Sequence, residues 1–282
     1  MRINGSTRVF LVLGDPVEQV RAPEVFNALF ERHGANAVLV PARVAPADLP
    51  GFVRQVLRAG NIEGLWLTIP HKTPVIPLLD NCDALALAAG AVNAVRRTAD
   101  GRLEGALFDG LGFAKALGVF GVPVAGQRVL LVGAGGAGQA IAIALAVRGA
   151  AEVALADVIP GRAEAVVHQL STSGLPSLRA ATSADPTGYD LVVNCTPLGL
   201  RDSDPLPFAP ERMTAGASVV DILMKNQPTP LLRACQARGI AAHPGYEMML
   251  QQVPEYLSFF GFDDIARAVA EAPHSLADLI LE

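Results

Sequence analysis

Apolar residues fall along this chain in short blocks, separated by polar residues or by glycine and proline. Thr7–Leu13 is a compact apolar run stopped by Gly14-Asp15-Pro16, and it reads as a strand. Val25, Phe26, Leu29 and Phe30 recur at helical spacing after Pro23, which suits a first helical turn. Ala37–Pro41 and Glu63–Thr68 read as further strands, with a helix over Asp48–Ala59 between them. A short helix after Pro74 and another over Asp80–Ala88 follow. Ala91–Arg96 and Arg102–Leu107 then read as strands across a turn at Asp100-Gly101. The second half predicts strands at Arg128–Val132, Glu152–Ala156, Leu191–Asn194 and Ser218–Ile222. Helices are predicted over Gln139–Arg148, Arg162–Leu170 and within Pro228–Arg238, and the tail from Glu247 to Ala272 is helical again. Buried strands alternating with helices predict an α/β fold with a parallel sheet.

Composition narrows the class. The 282 residues suit one large domain or two ordinary ones. A hydrophobic share of 51% against 17% charged excludes a disordered chain, and the glycines have no three-residue period, which excludes collagen. Lys and Arg number 22 against 27 Asp and Glu, a net charge of −5 that argues against a nucleic-acid partner. Cys82, Cys195 and Cys235 are few, odd in number and far apart, so neither a disulfide framework nor a metal site is expected. No apolar leader follows Met1-Arg2, and a cytoplasmic location is the expectation. Val129–Val147 carries no charge and is close to membrane-spanning length. Yet Gly133, Gly135, Gly136 and Gly138 interrupt it, so strand, turn and helix describe it better than a membrane segment.

That run holds the strongest chemical signal. Gly133-Ala134-Gly135-Gly136-Ala137-Gly138 fits the G-x-G-x-x-G spacing of a dinucleotide-binding Rossmann turn. Gly133 allows the tight turn, Gly135 lets backbone approach a pyrophosphate, and Gly138 lets helix and strand pack closely. The anion would rest on the N–H groups that open the next helix. Asp157 ends the following strand, where a carboxylate accepts bonds from the adenosine ribose and repels a 2′-phosphate. The expected cofactor is therefore NAD, although Arg162 lies near enough in sequence to reach a phosphate.

Taken in order, the motifs resemble the shikimate/quinate dehydrogenase family over almost the full length. The matching segments are Gly14-Asp15-Pro16 with Pro23 and Asn27, Leu67-Thr68-Ile69-Pro70-His71-Lys72, and Gly90-Ala91-Val92-Asn93. They continue with Asp109-Gly110 and Gly112-Phe113, the glycine loop, Asn194-Cys195-Thr196-Pro197-Leu198-Gly199, and Thr229-Pro230-Leu231-Leu232. The resemblance implies a split substrate domain, residues 1–108 completed by C-terminal helices from 246, around a dinucleotide domain at 109–245. It implies a cleft between the two in which a nicotinamide meets a small cyclic hydroxy acid or polyol, in a monomer or homodimer. It puts Lys72 and Asp109 in the catalytic pair, with Thr68 and Asn93 on substrate hydroxyls. It puts Gly133, Ala134, Gly135, Gly136, Ala137, Asp157, Cys195, Thr196, Pro197, Ile222 and Gly245 on the cofactor. The chemistry suits the pair independently: oxidising an alcohol needs a route for its proton, which a lysine held by a carboxylate provides.

The departures concern recognition. The family grips a substrate carboxylate with two serines, and Val20 and Ala22 stand at those positions. Neither side chain donates a hydrogen bond. Either Arg21 takes over the carboxylate, or the substrate is less polar there. Phe108 replaces a threonine beside Asp109, and Met224 stands where the family has a tyrosine. A substrate-contacting glutamine is expected in the tail, at Gln252 in preference to Gln251. His71 reads as a structural neighbour of Lys72. The resulting expectation is an NAD-dependent dehydrogenase of a shikimate- or quinate-like ring, with two alternatives. One is a related amino-substituted or less acidic substrate; the other is a non-catalytic ligand-binding protein on the same scaffold.

Overall fold

Two sheets organise the chain. A computed structural model describes residues 2–171, 177–272 and 276. By internal packing these belong to two compact units, 1–108 with 252–282, and 109–251.

The first unit contains β1 (Arg8–Gly14), α1 (Ala22–Arg32), β2 (Ala37–Arg43), α2 (Leu49–Val56), β3 (Ile62–Leu67), β4 (Asn81–Cys82), α3 (Ala84–Ala89), β5 (Ala94–Arg97) and β6 (Leu103–Ala106). The strand order is β2-β1-β3-β5-β6-β4. β1 runs parallel to β2 and β3, whereas β5 runs antiparallel to β3 and β6. The β5–β6 connection is the expected turn at Asp100-Gly101; a link this short permits only an antiparallel pair. The helix expected over Asp80–Ala88 is shorter than that. Asn81–Cys82 pairs with β6, and the Asp83 side chain accepts from Ala86 N to cap a helix that begins at Ala84.

The second unit contains α4 (Asp109–Val119), β7 (Arg128–Val132), α5 (Gly136–Val147), β8 (Glu152–Ala156), α6 (Arg162–Ser171), β9 (Leu178–Ala180), β10 (Leu191–Asn194), β11 (Ser218–Asp221), α7 (Pro230–Gln236), β12 (Ala241–Pro244) and α8 (Tyr246–Leu250). All neighbouring strands are parallel, in the order β12-β11-β10-β7-β8-β9. This is the doubly wound Rossmann arrangement, with its reversal of winding between β7 and β10. Strand cores such as Leu130, Val132, Val192 and Val219 pack with Leu231, Leu232 and Cys235 of α7. α5 opens at Gly136, three residues before the expected start, so Gly136 and Gly138 fall in the helix's own first turn. The uncharged run is thus β7, a turn and α5, and among the described residues no helix is long and apolar enough to cross a membrane.

The chain then returns to the first unit as α9 (Val253–Phe259) and α10 (Asp263–Glu271). The tail is therefore three helices, and the crossing falls after α8, which packs on α4. Aromatic burial draws the last two helices back to the first sheet. The Trp66 indole of β3 stacks on Tyr256 at 5.3 Å and on Phe260 at 4.0 Å, with Phe10 and Phe26 edge-on to it. Each such pair adds about 0.5–1.5 kcal/mol beyond its buried area. Gly64 makes room for the ring, since a Cβ there would lie 2.2 Å from Phe260 Cε1.

Candidate functional site

Within the first unit, register brings one set of strand ends together. Leu13 faces Leu67 across β1 and β3, Trp66 faces Ala94, and Ala94 faces Ala106. The C-terminal ends of β1, β3 and β6 therefore meet the start of β5 at one edge. The turn after β1 lies on the turn after β3: Asp15 N donates to Ile69 O, and Thr68 N donates to Leu13 O. Gly14 is required at this contact, because a Cβ would stand 2.7 Å from Thr68 Cγ2. Lys72 follows, half-buried, and its carbonyl accepts from Val92 N at 2.8 Å, next to Asn93.

Asn93 is fully buried and central to this edge. Its Oδ1 accepts from Phe108 N at 3.1 Å, and its Nδ2 donates to Gln252 Oε1 at 3.5 Å. Gln252 is buried, whereas Gln251 turns its amide to Glu247 at 2.8 Å. Tyr256, which the sequence did not single out, donates its hydroxyl to Asn93 O at 3.4 Å and meets the Phe108 ring edge-on at 5.0 Å. Thr68, Lys72, Asn93, Phe108 and Gln252 thus share one region of the first unit. Val20, Arg21 and Ala22 lie half-buried where the chain enters α1, with Arg21 at the N-cap and Ala22 the first helical residue. Arg21 makes an ion pair with Glu24, one turn along that helix. His71 is completely buried, with Nε2 placed to donate to Val44 O at 2.8 Å and no partner for Nδ1. Those contacts give it a structural job beside Lys72.

The second unit carries the remaining residues. Asp109 is buried as the first residue of α4. The glycine turn sits at the winding reversal, with φ +110° at Gly133. A Cβ on Gly133 would lie 2.8 Å from the Cys195 carbonyl, and one on Gly138 would lie 2.1 Å from Gly133 O. Gly135 differs: a Cβ there meets nothing within 4 Å, and no side chain caps the N-terminus of α5. A helix N-terminus without a side-chain cap, beside open space at Gly135, suits a pyrophosphate, so the residues present fit a dinucleotide. Gly136 and Ala137 lie in the first turn of α5.

The Asp157 side chain is almost wholly buried. Its Oδ2 accepts from Ala134 N and its Oδ1 from Ile159 N, each at 2.9 Å, so it ties the end of β8 to the glycine turn. Arg162 Nη1 stands 3.6 Å from Oδ2. Across the reversal, Cys195 N donates to Val132 O at 2.7 Å, which holds the Cys195-Thr196-Pro197 segment against the turn. Burial pushes the Cys195 thiol up, with the Asp221 charge adding to the shift, which favours the neutral thiol. Ile222 and Met224 follow β11, and Gly245 packs on Ile222, where a Cβ would come within 2.5 Å of its backbone. Among the described residues no group of three or more His, Cys, Asp or Glu side chains is placed to hold a metal.

Comparison with known proteins bears on this arrangement. Residues 12–95 match the shikimate dehydrogenase substrate binding domain. The chain is 40% identical over 257 residues to the shikimate dehydrogenase (NADP(+)) of Rubrobacter xylanophilus, covering 89% of each. The crystal structure of shikimate dehydrogenase from Aquifex aeolicus superposes with a TM-score of 0.85 at 29% identity, covering 95% of this chain and 99% of that one. Quinate dehydrogenase from Corynebacterium glutamicum in complex with NAD superposes with a TM-score of 0.82 at 26% identity, covering 94% and 99%. An ordered motif series, a Rossmann unit paired with a mixed-sheet unit and this extent of identity lead to one conclusion: the chain belongs to the shikimate dehydrogenase family.

Proposed function

We propose that the protein is an NAD(P)-dependent oxidoreductase that interconverts a ring hydroxyl and a ketone on a cyclic polyol of the shikimate or quinate kind. The observation that carries this reading is the retention of both Lys72 and Asp109 in a chain of this family. The nicotinamide, when bound, supplies the hydride acceptor or donor. Lys72 passes the hydroxyl proton and steadies the negative charge that develops on oxygen. Asp109 is the other member of the catalytic pair in this reading, and the proton is assigned strictly to neither residue. Thr68, Asn93 and Gln252 hydrogen-bond the ring hydroxyls.

NAD is the preferred cofactor in this reading. Asp157 offers carboxylate lone pairs to the ribose, while its charge opposes a 2′-phosphate. Arg162 is drawn towards Asp157 and serves that carboxylate in place of a phosphate. Val20 and Ala22 offer no donor, so Arg21 holds the substrate carboxylate, exchanging Glu24 for it. A second reading is a ring alcohol without a carboxylate, favoured by the apolar side chains at Val20, Ala22 and Phe108. A panel of shikimate, quinate and related ring alcohols, each assayed with NAD⁺ and with NADP⁺, tests both. Turnover of an acidic ring, faster with NAD⁺, is expected. Turnover only of uncharged rings favours the second reading, and no turnover with either cofactor overturns the proposal.

A further inference from the structure

Asp221 ends β11 with no exposed surface. Three uncharged donors hold its carboxyl group. Oδ1 accepts from Asn194 Nδ2 at 3.0 Å and from Leu223 N at 3.2 Å, and Oδ2 accepts from Thr229 Oγ1 at 2.7 Å. Burial pushes its pKa up, and these bonds work against that shift. A polar group buried at such cost calls for an explanation.

The explanation lies in what the carboxylate orients. Asn194 turns its NH₂ towards this carboxylate and towards Leu198 O, which accepts at 3.1 Å, and the Asn194 Oδ1 then faces Thr196. There Oδ1 accepts from Thr196 N at 3.0 Å and from Thr196 Oγ1 at 2.7 Å. The Thr196 hydroxyl, its proton committed, accepts from Leu198 N at 3.1 Å. The carboxylate therefore anchors one end of a hydrogen-bond network that reaches the segment after β10. The same carboxylate holds Leu223, in the segment after β11 that also carries Ile222 and Met224. A second tie joins these two segments: Asn226, in the left-handed conformation at φ 59°, donates to Gly199 O at 3.0 Å. The glycine-turn end of the post-β10 segment is held separately, by Cys195 N on Val132 O.

We propose that Asp221 is a positioning residue for the nicotinamide half of the cofactor, acting through Asn194, Thr196 and Leu223. This rests on the dinucleotide reading given above. The adenosine half depends on the glycine turn and Asp157, which the Asp221 chain does not hold. Asp221→Asn leaves one acceptor oxygen for three donors, so the ties to Asn194, Leu223 and Thr229 cannot all persist.

The test compares NADH with ADP-ribose, which has the adenosine half but no nicotinamide. For Asp221→Asn, the NADH dissociation constant should rise and kcat/KM should fall about tenfold or more, while ADP-ribose affinity stays within about twofold. Thr229→Val, which removes one donor, should give a smaller change of the same kind and reads the proposal if Asp221→Asn does not fold; Thr229→Ser should restore wild-type behaviour. NADH binding and turnover that are unchanged in folded Asp221→Asn would overturn the proposal. So would equal losses of NADH and ADP-ribose, which mark a general loosening of the unit. A wild-type protein that binds neither ligand would instead overturn the dinucleotide reading itself.

Discussion

Gly135→Ala separates cofactor binding from folding. Gly135 has φ −75° and ψ −175°, an extended conformation that any residue adopts. An added Cβ meets no atom within 4 Å. Gly135 is also the N-cap of α5, where alanine is the poorer residue, so this loss and the gain through the unfolded chain offset each other and the free protein's stability should change by less than about 1 kcal/mol. That open space is also where backbone must approach the pyrophosphate. A methyl group there costs the complex about 1–3 kcal/mol, the usual penalty of overpacking, or roughly 5- to 150-fold in affinity. Gly138→Ala is the contrasting control. Its Cβ would stand 2.1 Å from Gly133 O, where ordinary contact starts at 3.4 Å, and the obstacle is backbone. It should lower both the melting temperature and cofactor affinity. NADH fluorescence titration and thermal melting of the three proteins read the two effects independently. Wild-type NADH affinity in Gly135→Ala, or a clearly lowered melting temperature for that variant, would refute the reasoning.

Two further substitutions test the recognition elements. Asp157→Asn removes the charge at the end of β8 while keeping an acceptor for the glycine turn. The ratio of NADP to NAD dissociation constants should fall about tenfold, and an unchanged ratio in parallel titrations would remove Asp157 from cofactor choice. Arg21→Ala should raise KM for an acidic ring substrate about tenfold with little change in melting temperature, since a part-exposed ion pair such as Arg21–Glu24 contributes about 0–1 kcal/mol. An unchanged KM would point to another anchor or to a substrate without the carboxylate.

Legibility in the sequence followed the range of the interactions involved. β7, β8 and β10 have the bounds read from their apolar runs, because a buried parallel strand is apolar along its whole length. The glycine turn was equally readable, since its requirements arise within a few residues. α4 was not. Gly110 and Gly112 weaken its helical signal, yet Gly110 serves a tertiary need: a Cβ there would lie 2.2 Å from Ala140 O of α5. Strand β9 has only 3 residues, and β12, Ala-Ala-His-Pro with no fully buried residue, carries no apolar run. Tyr256 and Asn93 meet across 163 positions, and no local pattern reports that contact. Asp221 looked like an ordinary residue at a strand end; only its complete burial and its three donors mark it out.

Hydride exchange at a ring alcohol, with Lys72 passing the proton, is the function proposed for this chain. The most direct measurement is the initial rate of reduced nicotinamide formation by wild type and Lys72→Ala on shikimate and quinate, with NADH affinity measured alongside. Wild-type turnover on at least one of these rings, reduced about 10²–10⁴-fold in the variant at unchanged NADH affinity, is the predicted result. Near-normal turnover by Lys72→Ala, or none by the wild type, would contradict the account.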